Sequence, residues 1–439
     1  MSCRRVETAV REMSTEAFSR FEGELFHSIF GLIRSPVLKD KLGGVAALDA
    51  LINASTCQAE IKIIKFSNNL SNALRSNTNY DLLVQVSKAL GHMASSRVVP
   101  NADFVEFEID RGLEWLRAEQ WRRRLAACLV LKELAANTPT TFYGKMGDFL
   151  QRITPLLRDG RVNVRIASTE AVTMCLQILA ERRLRYHLDW LCGIYDHLQE
   201  GMHRASEADV HGALLAVEAM LKHCKDFMGP RFREVCEGVM PFRQHKSRLV
   251  RSTLTSLLPL LADFSPDGFA LLYLEDSVEF LFAACKHAES RGAAYLALGK
   301  LALAVGPHLQ PKLPEMIEVA MIGLVPKKKL RRSFCTEVLP FLSDLVMSLR
   351  EAMSPYIGQL LEPMFSQGIS EPLTETLTAV STYLPGHRLK VQERLLKELA
   401  LYLTGEEYYP PGRYPPWAPR GRDALVVMPK LQVSDDKKK

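Results

Sequence analysis

The sequence is poor in the features that announce an enzyme, a metal site or a membrane span. Its nine cysteines (Cys3, Cys57, Cys128, Cys175, Cys192, Cys224, Cys236, Cys285 and Cys335) include no Cys-x-x-Cys pair. That speaks against a zinc knuckle and a disulfide framework, and fits reduced thiols in a cytosolic or nuclear setting. No apolar stretch approaches the length of a membrane helix. The opening MSCRRVETAVREMSTE lacks the apolar core of a signal peptide. There is no glycine-rich phosphate loop, no HRD-type catalytic loop and no DFG-type metal aspartate. Walker A, H-E-x-x-H and G-x-S-x-G motifs are missing as well. GKMGDF at 144–149 only superficially resembles a phosphate loop, because its spacing is wrong. No catalytic, cofactor-binding or metal-ligating residue is therefore assigned. A net charge of +6 over 439 residues is mild and does not suggest a dedicated nucleic-acid binder, whose basic residues gather on one face. Runs of alternating apolar and polar residues, the mark of strands, are also lacking.

What the sequence does have is a period. A small or branched residue, then Leu or Val, then an apolar residue three positions on, recurs nine times. The central anchors are Leu48, Leu90, Leu131, Val172, Val217, Leu258, Leu298, Leu339 and Val380. Their steps are nearly constant, and the widest falls between Val172 and Val217. Before them stand Ala47, Ala89, Val130, Ala171, Ala216, Leu257, Ala297, Val338 and Ala379. A regular step of this size, about forty positions, marks stacked units, and an array of that kind works by presenting surface. Apolar residues around each anchor recur at three and four, as in a helix. A second amphipathic stretch precedes each one. In the first unit its stripe is expected to be Phe18, Phe21, Leu25, Ile29 and Leu32. Asp103 with Glu106 reads as a capping box, and Ser265-Pro266 and Ser354-Pro355 as N-cap followed by proline.

Two further positions keep phase. Pro155, Pro241 and Pro363 stand at one fixed offset ahead of the anchors Val172, Leu258 and Val380. That offset is late in the first helix, where proline removes a backbone bond and bends the chain. Seven residues before the anchor come Lys41, Arg124, Arg165, Arg251, Arg291 and Arg332. A cation at a helix start opposes the helix dipole, so this position is expected to pair with a neighbouring unit's loop. A helix pair of this period, with a bent first helix and a basic residue opening the second, resembles the HEAT repeat. Tetratricopeptide and ankyrin units are shorter, and armadillo units are the nearest competitor. The expected fold is all-α, a HEAT-repeat α-solenoid of about nine to ten antiparallel helix pairs over residues 14–404. An N-terminal segment (1–13) precedes it. A Pro-rich, extended or disordered tail (405–439), with Trp417 among its prolines, follows. The last helical stretch, RLKVQERLLKELALYL, keeps an apolar stripe and stops, so the array reads as the front arm of a longer machine.

Three clusters invite sharper readings. His187, His197, His203, His211 and His223 lie near Cys192 and Cys224, but without ligand spacing, and they read as surface and packing residues rather than a metal site. PKKKLRRS (326–333) reads as a solvated turn before it reads as an import signal. WRRR (121–124) is explained through Arg124. Cys175 holds an anchor phase and is assigned to the core.

At the level of words the chain resembles the N-terminal HEAT region of the target of rapamycin (TOR) protein kinases. The words are REMSTE (11–16), KLGGVAALDALI (41–52), VSKALGHMA (86–94), FVEFEIDRGLEWL (104–116), LAACLVLKELA (125–135), HGALLAVEAMLKH (211–223), CKDFMGPRFREVCEGVM (224–240), RGAAYLALGKLALAV (291–305) and QLLEPMFSQGIS (359–370), in collinear order. The connection near Cys224 is shorter than in that family. The resemblance implies a non-catalytic scaffold that meets Raptor- or Rictor-type subunits, an activating small GTPase and a second TOR protomer. From the mild charge and the short apolar stretches, neither specific nucleic-acid binding nor a transmembrane segment is expected. ATP and magnesium would belong to a kinase domain that this chain lacks. The implied location is the cytoplasm, with the nucleus and the periphery of endomembranes as further sites. An unrelated HEAT adaptor, such as a transport or phosphatase scaffold, is the alternative.

Overall fold

The computed structural model describes residues 15–54, 59–96, 102–182, 188–204, 206–325, 335–366 and 368–404. The expectations for residues 1–13 and 405–439, for Arg332 within 326–333, for His187 and for Trp417 lie outside these residues. Regular structure among the described residues is entirely helical. The chain divides into two compact units, Met1–Thr253 and Leu254–Lys439.

In the first unit the helices come in pairs. They are α1 (Thr15–Arg34) with α2 (Leu38–Leu51), α3 (Ala59–Ser76) with α4 (Tyr80–Ser95), and α5 (Ala102–Trp115) with α6 (Trp121–Asn137). In the fourth repeat the first helix is broken into α7 (Pro139–Tyr143) and α8 (Met146–Ile153), ahead of α9 (Val162–Glu181). The fifth pair is α10 (Leu188–His203) and α11 (Glu207–His223). The sixth first helix is again broken, into α12 (Lys225–Met228) and α13 (Phe232–Val239), and α14 (Arg248–Phe264), most of which belongs to the second unit, follows. The second unit continues with α15 (Pro266–Leu272) and α16 (Leu274–Cys285) before α17 (Arg291–Val305), then α18 (Leu313–Leu324) with α19 (Val338–Leu349), and α20 (Ser354–Phe365) with α21 (Glu371–Tyr383). A last helix, α22 (Arg388–Thr404), packs on α20 and α21.

First and second helices differ in how much of their surface is covered. A first helix buries one stripe, as α5 does with Val105, Ile109 and Leu113. In the first unit α6 is packed by its own partner α5 and by the neighbouring second helices α4 and α9, and it buries every residue from Leu125 to Leu131. All nine anchors are at most 1% exposed. The alanine before most of them lets adjacent backbones approach, and the apolar area removed from water drives the stacking.

Several local expectations shift. In α1 the buried row is Phe26, Ile29 and Ile33, while Leu32 is 42% exposed. The helix carries two adjoining apolar rows, and Phe66 selects one by packing edge-on against Phe26 at 5.0 Å. Asp103 lies inside the first turn of α5, not at its cap, and there meets the positive helix end. Ser354 opens α20 from inside, and its hydroxyl is hydrogen-bonded to His387 Nε2 at 2.8 Å. Ser265 is the N-cap of α15 but makes no side-chain cap bond. Pro155 and Pro241 each begin a 3-10 turn, Thr154–Arg158 and Met240–Gln244, that closes the first helix. Pro363 sits within the last turn of α20.

Candidate docking surface

The second helices leave one narrow face open. Between α6, α9 and α11 this face forms a groove of about 510 Å³. Ile166, Met174 and Leu215 supply apolar floor, and Lys132, Glu133, Glu170, Glu218 and Lys222 form charged walls. The walls are internally ordered. Lys132 Nζ lies 3.0 Å from Glu170 and 3.5 Å from Glu133, and Lys222 lies 2.6 Å from Glu218. Partial burial alone would lower the Lys132 ammonium, but the hydrogen bonds and charges of Glu170 and Glu133 together outweigh it and raise the group above its usual range. A groove with apolar floor and paired polar walls has the chemistry of a peptide-binding cleft.

The basic phase fixes the second helices that line it. Arg124 Nε donates to Asp159 Oδ2 of the next repeat at 2.8 Å, and its Nη1 donates to the carbonyls of Ala118 and Glu119 at 2.9 and 2.7 Å. Arg165, 1% exposed, donates to the Asp159 carbonyl at 2.6 Å and to His211 Nδ1 at 3.0 Å. Arg251 donates to the carbonyls of His245 and Lys246 at 2.6 and 3.1 Å. Lys41 reaches Asn77 Oδ1 of the following repeat at 2.6 Å. Arg291 lies near Glu337, whose carboxyl is held low mainly by its own backbone N–H, with Arg291 contributing. The first three arginines thus bind the carbonyls that precede their own helix. Lys41, Arg124 and Arg165 also cross to the next repeat.

The histidines divide between the two neighbouring helices. Burial, aided by Arg165, lowers the His211 imidazole to about 4. Burial, aided by Arg158, does the same for His197. His203 is exposed, and its ring Nδ1 lies 2.7 Å from the Gln199 carbonyl. Cys192 is half-buried and Cys224 buried. Among the described residues no group of three His, Cys, Asp or Glu side chains is placed to hold a metal ion. Cys175 is fully buried, with its thiol pushed well up by desolvation.

Two features are not legible in the sequence. Glu108 is 0% exposed, yet it accepts from Ser67 of the preceding repeat at 2.9 Å and is paired with Arg111. Burial raises its carboxyl, and the Arg111 charge pulls it back. The groove walls also escape, because their signal is weak. They occupy the few open positions flanking each anchor.

The geometry defines a HEAT-type helical solenoid. Its likeness to solved structures is of the same kind. The karyopherin Kap121p bound to the extreme C-terminus of the phosphatase Cdc14p superposes with a TM-score of 0.55 at 12% identity, over 90% of this chain and 41% of that one. Kap121p bound to the SUMO protease Ulp1p gives 0.54 at 13%, again over 90% and 41%. No protein-family model matches. By sequence the chain is similar to part of the TOR serine/threonine protein kinases. It is 34% identical to TOR of Oryza sativa subsp. japonica over 394 residues, and 31% identical to TOR of Arabidopsis thaliana over 405. These matches cover 89% and 92% of this chain. The chain spans only 16% of the length of each of these relatives. No described helix is long and apolar enough to cross a membrane.

Proposed function

We propose that this chain is the non-catalytic docking arm of a TOR-type serine/threonine protein kinase, corresponding to its N-terminal HEAT region. One observation carries the reading: 394 residues align with 16% of a TOR kinase, in a chain without any kinase motif. The partners that follow are Raptor- or Rictor-type subunits, an activating small GTPase and a second TOR protomer, with ATP and magnesium handled by a kinase region elsewhere. The setting is cytoplasmic, with nuclear or endomembrane-associated pools. The groove on α6, α9 and α11 is the contact surface we favour for an extended partner segment. Kap121p, of the same fold, is itself described as bound to a chain terminus of Cdc14p.

The test is capture of purified Raptor-type and small-GTPase partners by the full chain. Ile166→Asp with Leu215→Asp should reduce capture without lowering Tm, since both residues line the open groove. Failure of the well-folded parent chain to bind any of these partners would count against the docking role. Measurable ATP turnover would sink it. The second reading is an adaptor unrelated to TOR signalling, for which the karyopherin likeness is the supporting observation. Reading the genomic sequence downstream of Lys439 separates the two: a continuous frame encoding kinase segments favours the first.

A further inference from the structure

The turns that join first to second helix in the third and fourth repeats concentrate positive charge that the groove does not use. Arg117, Arg122, Arg123 and Arg161 are all exposed. None of them makes an ion pair among the described residues. The guanidinium carbons of Arg122 and Arg161 lie 5.8 and 5.5 Å from the centroid of one ring, that of Trp121. The scaffold therefore holds two like charges against a single indole. Arg124 is already balanced by Asp159 at 2.8 Å. The exposed acid on these turns is Glu119.

The backbone adds to the same field. Helices α6 and α9 begin here, their N-cap residues are Gln120 and Arg161, and neither makes a side-chain cap bond. Neither helix has an acidic residue in its first turn. A cation at a helix start is unfavourable, and an anion there is favourable. On either side the sign reverses: α4 opens with Asp81, and α11 with Glu207 and Asp209. The patch is thus two repeats wide, about 20 Å at ordinary helix spacing.

That width decides the class of ligand. A membrane surface or a nucleic-acid duplex rewards charge that continues along many repeats. A compact phosphate, nearly doubly charged and with three acceptor oxygens, matches a small cluster of guanidinium forks. We propose that the Arg122–Trp121–Arg161 site, with Arg117 and Arg123 at its rim, binds a phosphoserine or phosphothreonine carried by a segment of a partner protein. This rests on the surface alone, so its failure leaves the TOR-type reading untouched.

The experiment titrates the purified full chain with a degenerate pool of phosphoserine and phosphothreonine peptides, read by fluorescence anisotropy. The same pool without phosphate, vesicles rich in phosphatidylserine and an RNA duplex serve as comparison probes. The phosphopeptide pool should bind roughly tenfold or more tightly than the unphosphorylated pool, and increasingly weakly as salt is added. Arg122→Gln with Arg161→Gln should remove that difference, while Arg233→Gln on α13 leaves it intact. An unchanged Tm and helical circular dichroism spectrum shows that the double variant is folded. A milder change, Arg123→Gln alone, should give an intermediate loss. Equal binding of the two pools overturns the proposal. So does binding confined to vesicles or duplex, no binding of the phosphopeptide pool, or full binding by the folded double variant.

Discussion

Among the described glycines the tightest position is Gly212. A Cβ added there would overlap the Leu157 carbonyl oxygen, a backbone atom with nowhere to go. Gly212→Ala is therefore expected to destabilise by about 3 kcal/mol or more, measured by denaturant titration. Ala171, fully buried before its anchor, has less at stake: Ala171→Phe overpacks a helix contact and should cost roughly 1–3 kcal/mol. Arg165→Ala removes donors from the Asp159 carbonyl and from His211 Nδ1. Stranding buried acceptors should cost about 2–3 kcal/mol, and a Tm equal to the parent's would refute the assigned role. Ala171 and Arg165 are legible in the sequence, because both keep the repeat phase. Gly212 is not. Its need for glycine arises from the Thr154–Arg158 turn of the preceding repeat, and nothing local marks it.

Among the elements, second helices are easier to read than first helices. A second helix meets neighbours on several sides and so carries apolar residues almost throughout, as Leu125 to Leu131 do in α6. A first helix shows one stripe, and where two apolar rows adjoin, as in α1, only tertiary packing chooses between them. The prolines locate the place where a first helix gives way but not the manner. Two of them open 3-10 turns, and the third ends a helix from within. The Glu108–Arg111 pair lies outside any pattern argument, because a charged residue on the buried row of α5 contradicts the apolar rule. It joins α5 to Ser67 on α3. Glu108→Leu would leave Arg111 without its buried partner and should cost about 3–5 kcal/mol. Unaltered stability on urea unfolding would show that the pair contributes nothing.

For the whole chain the clearest expectation concerns acid. His197 and His211 are both held near 4 in the folded state, against an ordinary 6.5. Between those values the unfolded chain binds more protons than the folded one, so stability rises with pH across that window and is lost as pH falls from 6.5 toward 4. Thermal melts through this range should show Tm falling with pH, and His211→Gln should flatten part of the slope. A Tm independent of pH across the same window would contradict the buried, neutral imidazoles. Repeat number, helical class and anchor burial can be read from the repeat period alone. The groove cannot, because it depends on which open positions of α6, α9 and α11 come to face one another, and no single repeat contains that information.

Shared phase does not make the repeats interchangeable parts. The position five before the anchor is Gly212 in the fifth repeat, but Ala126, Ala167 and Thr253 hold it in the third, fourth and sixth. A fifth repeat replaced by a copy of any of these three would bring a Cβ into the space of the Leu157 carbonyl. Recombination that sets any of these three in the fifth place, one ordinary way such arrays lengthen and diversify, is therefore blocked at this joint. The fifth place accepts only a repeat with glycine at this phase, which the first repeat has in Gly43.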